Sequence, residues 1–252
     1  MPGKRSWLAL GAGAYVAFLL ASFPATAAYR WFAPPELGLT GIDGTVWSGR
    51  AAVGSVAGLA IRDVAWDIAP WRLLLGSVGG RAEARLADGF ASTGFRAGPR
   101  RTVLDGLQIS TSVPVLEPLL PVQGTSGLLS ASFARLELER GWPIRAEGEV
   151  RLRDLQVTPF IPTAGGQLIA LGDYAIVFAN GGGEALAAEI RDTGGPLEVQ
   201  ATLTLDRDRA YRLEGTVRPR PSASRDLVQG IEIMTGEPDP AGRRPLGLTG
   251  SL

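Results

Sequence analysis

The chain has 252 residues, with 25 basic and 25 acidic side chains and neither cysteine nor histidine. Those absences exclude thiol catalysis, a Ser-His-Asp triad and the usual zinc ligands. Balanced charge, with no basic run longer than a pair such as Arg100-Arg101 after Pro99, argues against nucleic acid as a partner.

The first element is Trp7–Ala28, an uncharged run of about 22 residues, long enough as a helix to cross a hydrocarbon core of about 30 Å. Trp7, Leu8, Leu10, Tyr15, Val16, Phe18, Leu19, Leu20 and Phe23 supply the apolar surface of this membrane anchor. Lys4 and Arg5 precede it, and the positive-inside rule keeps such a tail in the cytoplasm. The reading is therefore a cytoplasmic tail at residues 1–6, a transmembrane signal anchor at 7–28 and a periplasmic β domain at 29–252. That makes the chain a single-pass protein of a bacterial inner membrane. A cleaved secretory signal is the rival, since Ala25-Thr26-Ala27 suits a small-residue cleavage site, but the length of the run favours the anchor.

After an exit segment at Tyr29–Pro35, Leu37–Asp43 leads into Gly44–Ala51, where Thr45, Val46 and Trp47 favour a strand. Val64, Trp66 and Ile68 alternate with Asp63, Ala65 and Asp67 until Pro70, which has no donor for the ladder, stops the strand. Trp71–Leu75 then reads as a short helical turn. Val78–Leu86 and Phe90–Arg96 pair as a hairpin across Asp88-Gly89. Thr102–Thr111 continues as strand, and Pro114–Pro121 reads as a proline-bounded helical corner.

The clearest alternation lies in Leu128–Glu139 and Ile144–Arg153. In the second, Ile144, Ala146, Gly148, Val150 and Leu152 face one way while Arg145, Glu147, Glu149, Arg151 and Arg153 face the other. Gln167–Leu171, Asp173–Ala179, Ala185–Arg191, Leu197–Leu205 and Tyr211–Val217 are further strands. Ser222 or Ser224 caps a helix to about Met234, with Leu227, Ile231 and Met234 on one face, and Leu246–Leu252 is the closing strand.

The fold class is mainly β: a single N-terminal transmembrane helix followed by roughly ten or more antiparallel strands with one or two short helices. A sandwich and an elongated, curved sheet both fit this spacing. Many dry-face positions are Ala, Gly or Val, which suits a strongly curved sheet whose inner face is a groove.

Several blocks carry a family likeness. They are Gly44–Ala51, Trp66-Asp67-Ile68 with Pro70-Trp71 and Leu73-Leu74-Leu75-Gly76, the Gly172-Asp173-Tyr174 turn, and the ending Gly236–Arg243 with Gly250–Leu252. In order and spacing, with one amino-terminal span before them, they resemble the protein N family of the bacterial type II secretion system. The resemblance implies an accessory inner-membrane component with a periplasmic β domain, part of the machinery that exports folded proteins across the outer membrane. It brings no catalytic motif and implies no enzyme. The run Ile231–Thr235 departs from the leucines expected there. More distantly the chain is similar to AsmA-like β proteins, whose sheets offer an apolar groove to lipid chains, a likeness of character only.

A structural or adaptor role therefore explains the most features. Its partners are other type II secretion components and inner-membrane lipids, with no nucleic acid, no small-molecule substrate, no metal and no cofactor. Trp47, Arg50 and Trp71 are the candidate interaction residues, tryptophan and arginine being enriched at interface hot spots. Trp47 also reads as a core side chain of its strand, and Arg50 as serving a local carboxylate or carbonyl. A lipid-binding groove is the second reading. An enzyme is the third: Ser48, Asp63 and Asp67 supply a hydroxyl and acids, but with no histidine, and Lys4 as the lone lysine, a serine lacks its ordinary bases.

Overall fold

The computed structural model describes residues 4–33, 37–56, 58–119, 124–158, 168–179 and 185–251. The amino-terminal run is two helices rather than one. α1 spans Lys4–Ala21 and α2 spans Ala25–Phe32. Pro24, with φ −66° and ψ 137°, sits between them in an extended conformation and also disfavours helix at Phe23. The expected unbroken helix over Trp7–Ala28 therefore ends early, and most of the expected exit segment is helical instead. The side-chain hydroxyl and backbone N–H of Ser22 both donate to the Phe18 carbonyl, closing the last turn of α1. Among the described residues no helix is long and apolar enough to cross a membrane.

Among the described residues the body is one sheet of 13 antiparallel strands in sequence order, so each strand pairs with the one before it. The strands are β1 (Leu37–Gly44), β2 (Ser48–Val56), β3 (Leu59–Ile68), β4 (Val78–Arg85), β5 (Phe90–Ala97) and β6 (Arg101–Ser112), then β7 (Thr125–Glu139) and β8 (Trp142–Val157). The last five are β9 (Ile169–Phe178), β10 (Ala185–Gly194), β11 (Leu197–Asp206), β12 (Ala210–Pro219) and β13 (Arg244–Ser251). Of the two architectures open to the sequence, the single long sheet is the one found. Pro70–Leu75 and Val113–Leu119 are short 3-10 turns at the two proline-bounded corners.

Two expected boundaries move. Thr45–Trp47 is the turn between β1 and β2, so Trp47 is not on a strand and is only half-buried. Its place in the turn follows from Gly44, whose φ of +94° reverses the chain. Gln167–Leu171 and Asp173–Ala179 were expected as separate strands; β9 instead runs through Gly172, whose φ of +99° makes a bulge. The glycine triplet at 181–183, which the sequence reads as a flexible turn, and Gln167 lie outside the described residues.

Bulges are what curve the sheet. The register slips between β3 and β4, between β5 and β6, and repeatedly along β7, β8 and β9. Each slip bends its strand and adds twist. The result is visible in one bond: the indole N–H of Trp142, at the start of β8, donates to the carbonyl of Asp206, at the end of β11, over 2.9 Å. In a flat sheet three strand spacings of about 4.8 Å would separate these strands.

Two apolar clusters fill the concave face. Leu107, Ala131, Phe133, Ala146 and Leu186 form the central one, and Tyr174, Leu197, Val199, Val217 and Leu227 form the carboxyl-terminal one. The second includes α3 (Arg225–Met234), whose N-cap Ser224 accepts from the Leu227 N–H at 3.3 Å. Leu227 and Ile231 pack as expected, but Met234 is exposed because the sheet covers that helix face only as far as Ile231. The opposite face carries ion pairs such as Arg191–Glu189 and Arg212–Glu214, exposed pairs that contribute little each.

Tyr174 yields a pH test. Burial, reinforced by the Asp192 carboxylate, pushes its phenol from 10.0 up to about 12, and the neutral hydroxyl donates to the Leu171 carbonyl at 2.7 Å. The unfolded chain ionises first. Stability is therefore full below about pH 10 and falls as pH rises towards 12, by an amount on the order of 2 kcal/mol. Tyr174→Phe is expected to remove that alkaline slope, read as the pH dependence of the urea midpoint.

Candidate functional site

The carboxyl-terminal half of the concave face is filled by its own side chains, whereas the amino-terminal half is not. Beneath β1–β5 lies a groove of about 440 Å³, within the range of small-ligand sites. Leu37, Leu39, Ile42, Ile61, Val64 and Phe95 make most of its wall, and Glu83, Ser92 and Thr93 are its few polar contributors. The space exists because Ala82, Ala84 and Ala91 stand where larger residues fill the central cluster. Alternation with small residues was legible in β4; that it leaves an open groove depends on the curvature.

One wall of the groove is α2, which contributes Ala25, Ala28 and Tyr29. Tyr29 does more than line it. Its hydroxyl donates to the Leu37 carbonyl and accepts from the Leu39 N–H, both at 2.9 Å. β1 is an edge strand, and the phenol takes the place of a neighbouring strand for one pair of its backbone groups. Further along, Pro24 bridges to Thr45, and the Val46 N–H donates to the Phe23 carbonyl at 3.0 Å. No sequence signal announced Tyr29, because a side chain that serves a strand edge leaves no periodic trace.

The three candidate interaction residues have separate local contacts. Trp47 donates its indole N–H to the carbonyl of Leu20 at 2.7 Å, so it holds the carboxyl end of α1. Arg50 is exposed and pairs with Asp43 at 3.4 Å across β1 and β2. Trp71 is exposed in the Pro70–Leu75 turn, with the Arg72 guanidinium 5.1 Å from its ring centre. The neighbouring Trp66 lies flat against Gly49, where a Cβ would come within 2.5 Å of the indole, and it donates to the Thr45 carbonyl at 3.3 Å. The turn at 45–47 is thus gripped by two tryptophans.

Of the anchor residues, Tyr15, Phe18, Leu19 and Leu20 are exposed, and Phe23 is half-buried beside Trp31. The side chains of Trp7, Leu8, Leu10 and Val16 lie outside the described residues. Ser48 and Asp67 are cross-strand partners in a cleft that Asp43, Arg50, Arg81 and Glu83 also line, while Asp63 pairs with Arg85 at 3.5 Å. Among the described residues no group of three or more carboxylates is placed to hold a metal ion.

The family model described as "Type II secretion system (T2SS), protein N" matches residues 35–247, from just before β1 into β13. The chain belongs to this family. It is 26% identical over 257 residues to the type II secretion system protein N of Aeromonas hydrophila, an alignment covering 95% of each chain. It is also 26% identical over 237 residues to the protein of that name from Vibrio cholerae serotype O1, covering 87% of this chain and 86% of the relative. No solved structure matches. The matched span contains the whole groove wall contributed by the sheet, while α1 and α2 precede it.

Proposed function

We propose that this chain is an accessory, non-catalytic component of the type II secretion machinery, held at the inner membrane by α1, with its sheet in the periplasm. The observation that carries the reading is family membership over residues 35–247, together with two relatives whose names place them in that system. The membrane part rests on α1. After Lys4, Arg5 and Ser6, the apolar part at residues 7–21 makes about 22 Å at 1.5 Å per residue, less than the hydrocarbon core of about 30 Å, and Tyr15, Phe18, Leu19 and Leu20 face outward. A short span of this kind is accommodated by local thinning and by basic side chains reaching the interface.

Contact with other secretion components fits the asymmetry of the sheet. The β1 edge is closed at Leu37–Leu39 by Tyr29, whereas among the described residues β13 pairs only with β12 and leaves its outer row of backbone groups free for a partner strand. The test is in-cell photocrosslinking from Leu248, which is exposed on β13. Specific adducts with secretion subunits are expected. A spread of unrelated proteins would overturn the assignment.

The groove favours a second reading, in which the protein holds a lipid acyl chain, each methylene removed from water contributing about 0.8 kcal/mol. Phospholipid carrying a photoreactive acyl chain is then expected to label peptides containing Ile61 or Phe95. Ala84→Trp, which fills the groove, is expected to abolish that labelling. Equal labelling of the filled variant would sink this reading and leave the first intact.

A further inference from the structure

We propose that α2 is an interfacial helix whose Trp31 and Phe32 sit among the headgroups of an anionic bilayer and hold the β1 edge of the sheet against the membrane. The proposal rests on the reading that α1 is seated in that membrane, and it adds a second, separately testable contact.

Two exposures start the argument. Trp31 is 70% and Phe32 77% exposed, side by side at the carboxyl end of α2. The Trp31 ring lies 5.8 Å from Phe23 and 6.4 Å from Phe32, so three aromatics form one patch. Large apolar side chains left open in a cluster mark an interaction surface. The other face of α2 is already committed, with Ala25 buried and Ala28 and Tyr29 against the groove.

Charge and continuity select the occupant. Residues 1–35 contain Lys4, Arg5 and Arg30 and no acidic residue; the first carboxylate in the chain is Glu36. A basic, aromatic-tipped helix matches an anionic lipid surface, where tryptophan favours the headgroup level. Phe23 in turn follows α1 directly, its N–H donating to the Leu20 carbonyl at 3.4 Å, and α1 leaves Tyr15, Phe18, Leu19 and Leu20 exposed. A water-soluble partner covering Trp31 and Phe32 would have to share that surface with lipid.

The attachment is rigid, which is what turns immersion into orientation. Trp47 holds the Leu20 carbonyl, Val46 holds that of Phe23, and Tyr29 bridges Leu37 and Leu39. These bonds tie both helices to the first two strands, so the depth of α2 sets where the groove meets the bilayer.

The chain contains no cysteine, so single introduced cysteines can carry an environment-sensitive NBD label in the full-length protein. Trp31→Cys and Phe32→Cys each leave the other aromatic in place. Leu19→Cys reports on α1, and Asp208→Cys, in the exposed β11–β12 turn, is the aqueous reference. The probe surface is a vesicle of phosphatidylethanolamine and phosphatidylglycerol. Labels at 31 and 32 are expected to show blue-shifted emission, loss of quenching by aqueous iodide, and stronger quenching by shallow than by deep doxyl lipids. If they are quenched by iodide as freely as position 208 while position 19 is shielded, the interfacial helix is wrong and the anchor stands. If position 19 is also open to iodide, both readings fall. Labels at 31 and 32 that are shielded from iodide yet untouched by doxyl lipid would mean a protein covers the patch, and that too overturns the proposal.

Discussion

Arg220→Met is expected to destabilise the sheet by about 3–5 kcal/mol, the cost of leaving a buried charge without its partner. Arg220 follows β12, and its guanidinium meets the Asp192 carboxylate of β10 while donating to the carbonyls of Gly195 at 2.9 Å and Leu197 at 2.8 Å. Asp192 is only 10% exposed and accepts one further bond, from the Val199 N–H at 2.8 Å. Methionine keeps the apolar stem of the side chain but supplies none of the donors. The Asp192 carboxylate then retains one backbone donor in a site with little access to water. Adding Asp192→Asn to Arg220→Met is expected to recover part of the loss, because the uncompensated charge is gone. Urea titration followed by circular dichroism reads both values. Arg191→Ala, which breaks an exposed pair with Glu189, is the contrast and is expected to cost no more than about 1 kcal/mol. Equal costs for Arg220→Met and Arg191→Ala would show that water serves Asp192 as well as arginine does.

Phe133→Ala is the second large effect, about 3–5 kcal/mol. Phe133 lies in β7, buried in the central cluster between Leu107, Ala131, Ala146 and Leu186, with its ring centre 5.5 Å from Phe178 at 52°. It joins strands from both sides of the bend, so truncation removes apolar burial and leaves a cavity that stiff, bulged strands cannot easily close. The denaturation midpoint is expected to fall with the slope m unchanged. Phe133→Leu, nearer in volume, is expected to cost less than about 1.5 kcal/mol. A change in m for the alanine variant would mean instead that the two halves of the sheet no longer unfold together.

Strand content was legible because an antiparallel sheet with one wet face writes a period of two into the sequence. Between the bulges β7 carries it over residues 128–133 and β8 over residues 144–153, the Asp88-Gly89 hairpin and the Ser224 cap are where their residue types place them, and the proline-bounded corners are turns. The points that moved share a physical cause. A bulge is invisible to alternation unless its positive φ is recognised, so Gly172 looked like a break between strands when it is a bend within β9. Trp47 looked like a core side chain because its composition suits a strand, but the chain reverses at Gly44 and the indole caps α1. The uncharged run Trp7–Ala28 reads as one helix, and Pro24 divides it into two.

The residues by themselves determined an antiparallel β protein, free of thiol and histidine chemistry, with an apolar amino-terminal arm and the blocks of the protein N family. Those properties follow from side-chain type and local spacing, which no later folding step alters. Only the tertiary structure decided that the strands form one sheet, that bulges curl it until Trp142 reaches Asp206, and that the curl leaves an apolar groove under β1–β5. It likewise decided that Tyr29 closes the β1 edge and leaves Trp31 and Phe32 outside. Curvature accumulates from register slips between distant strands, and a groove is the space that curvature encloses, so neither is a property of any one stretch of chain.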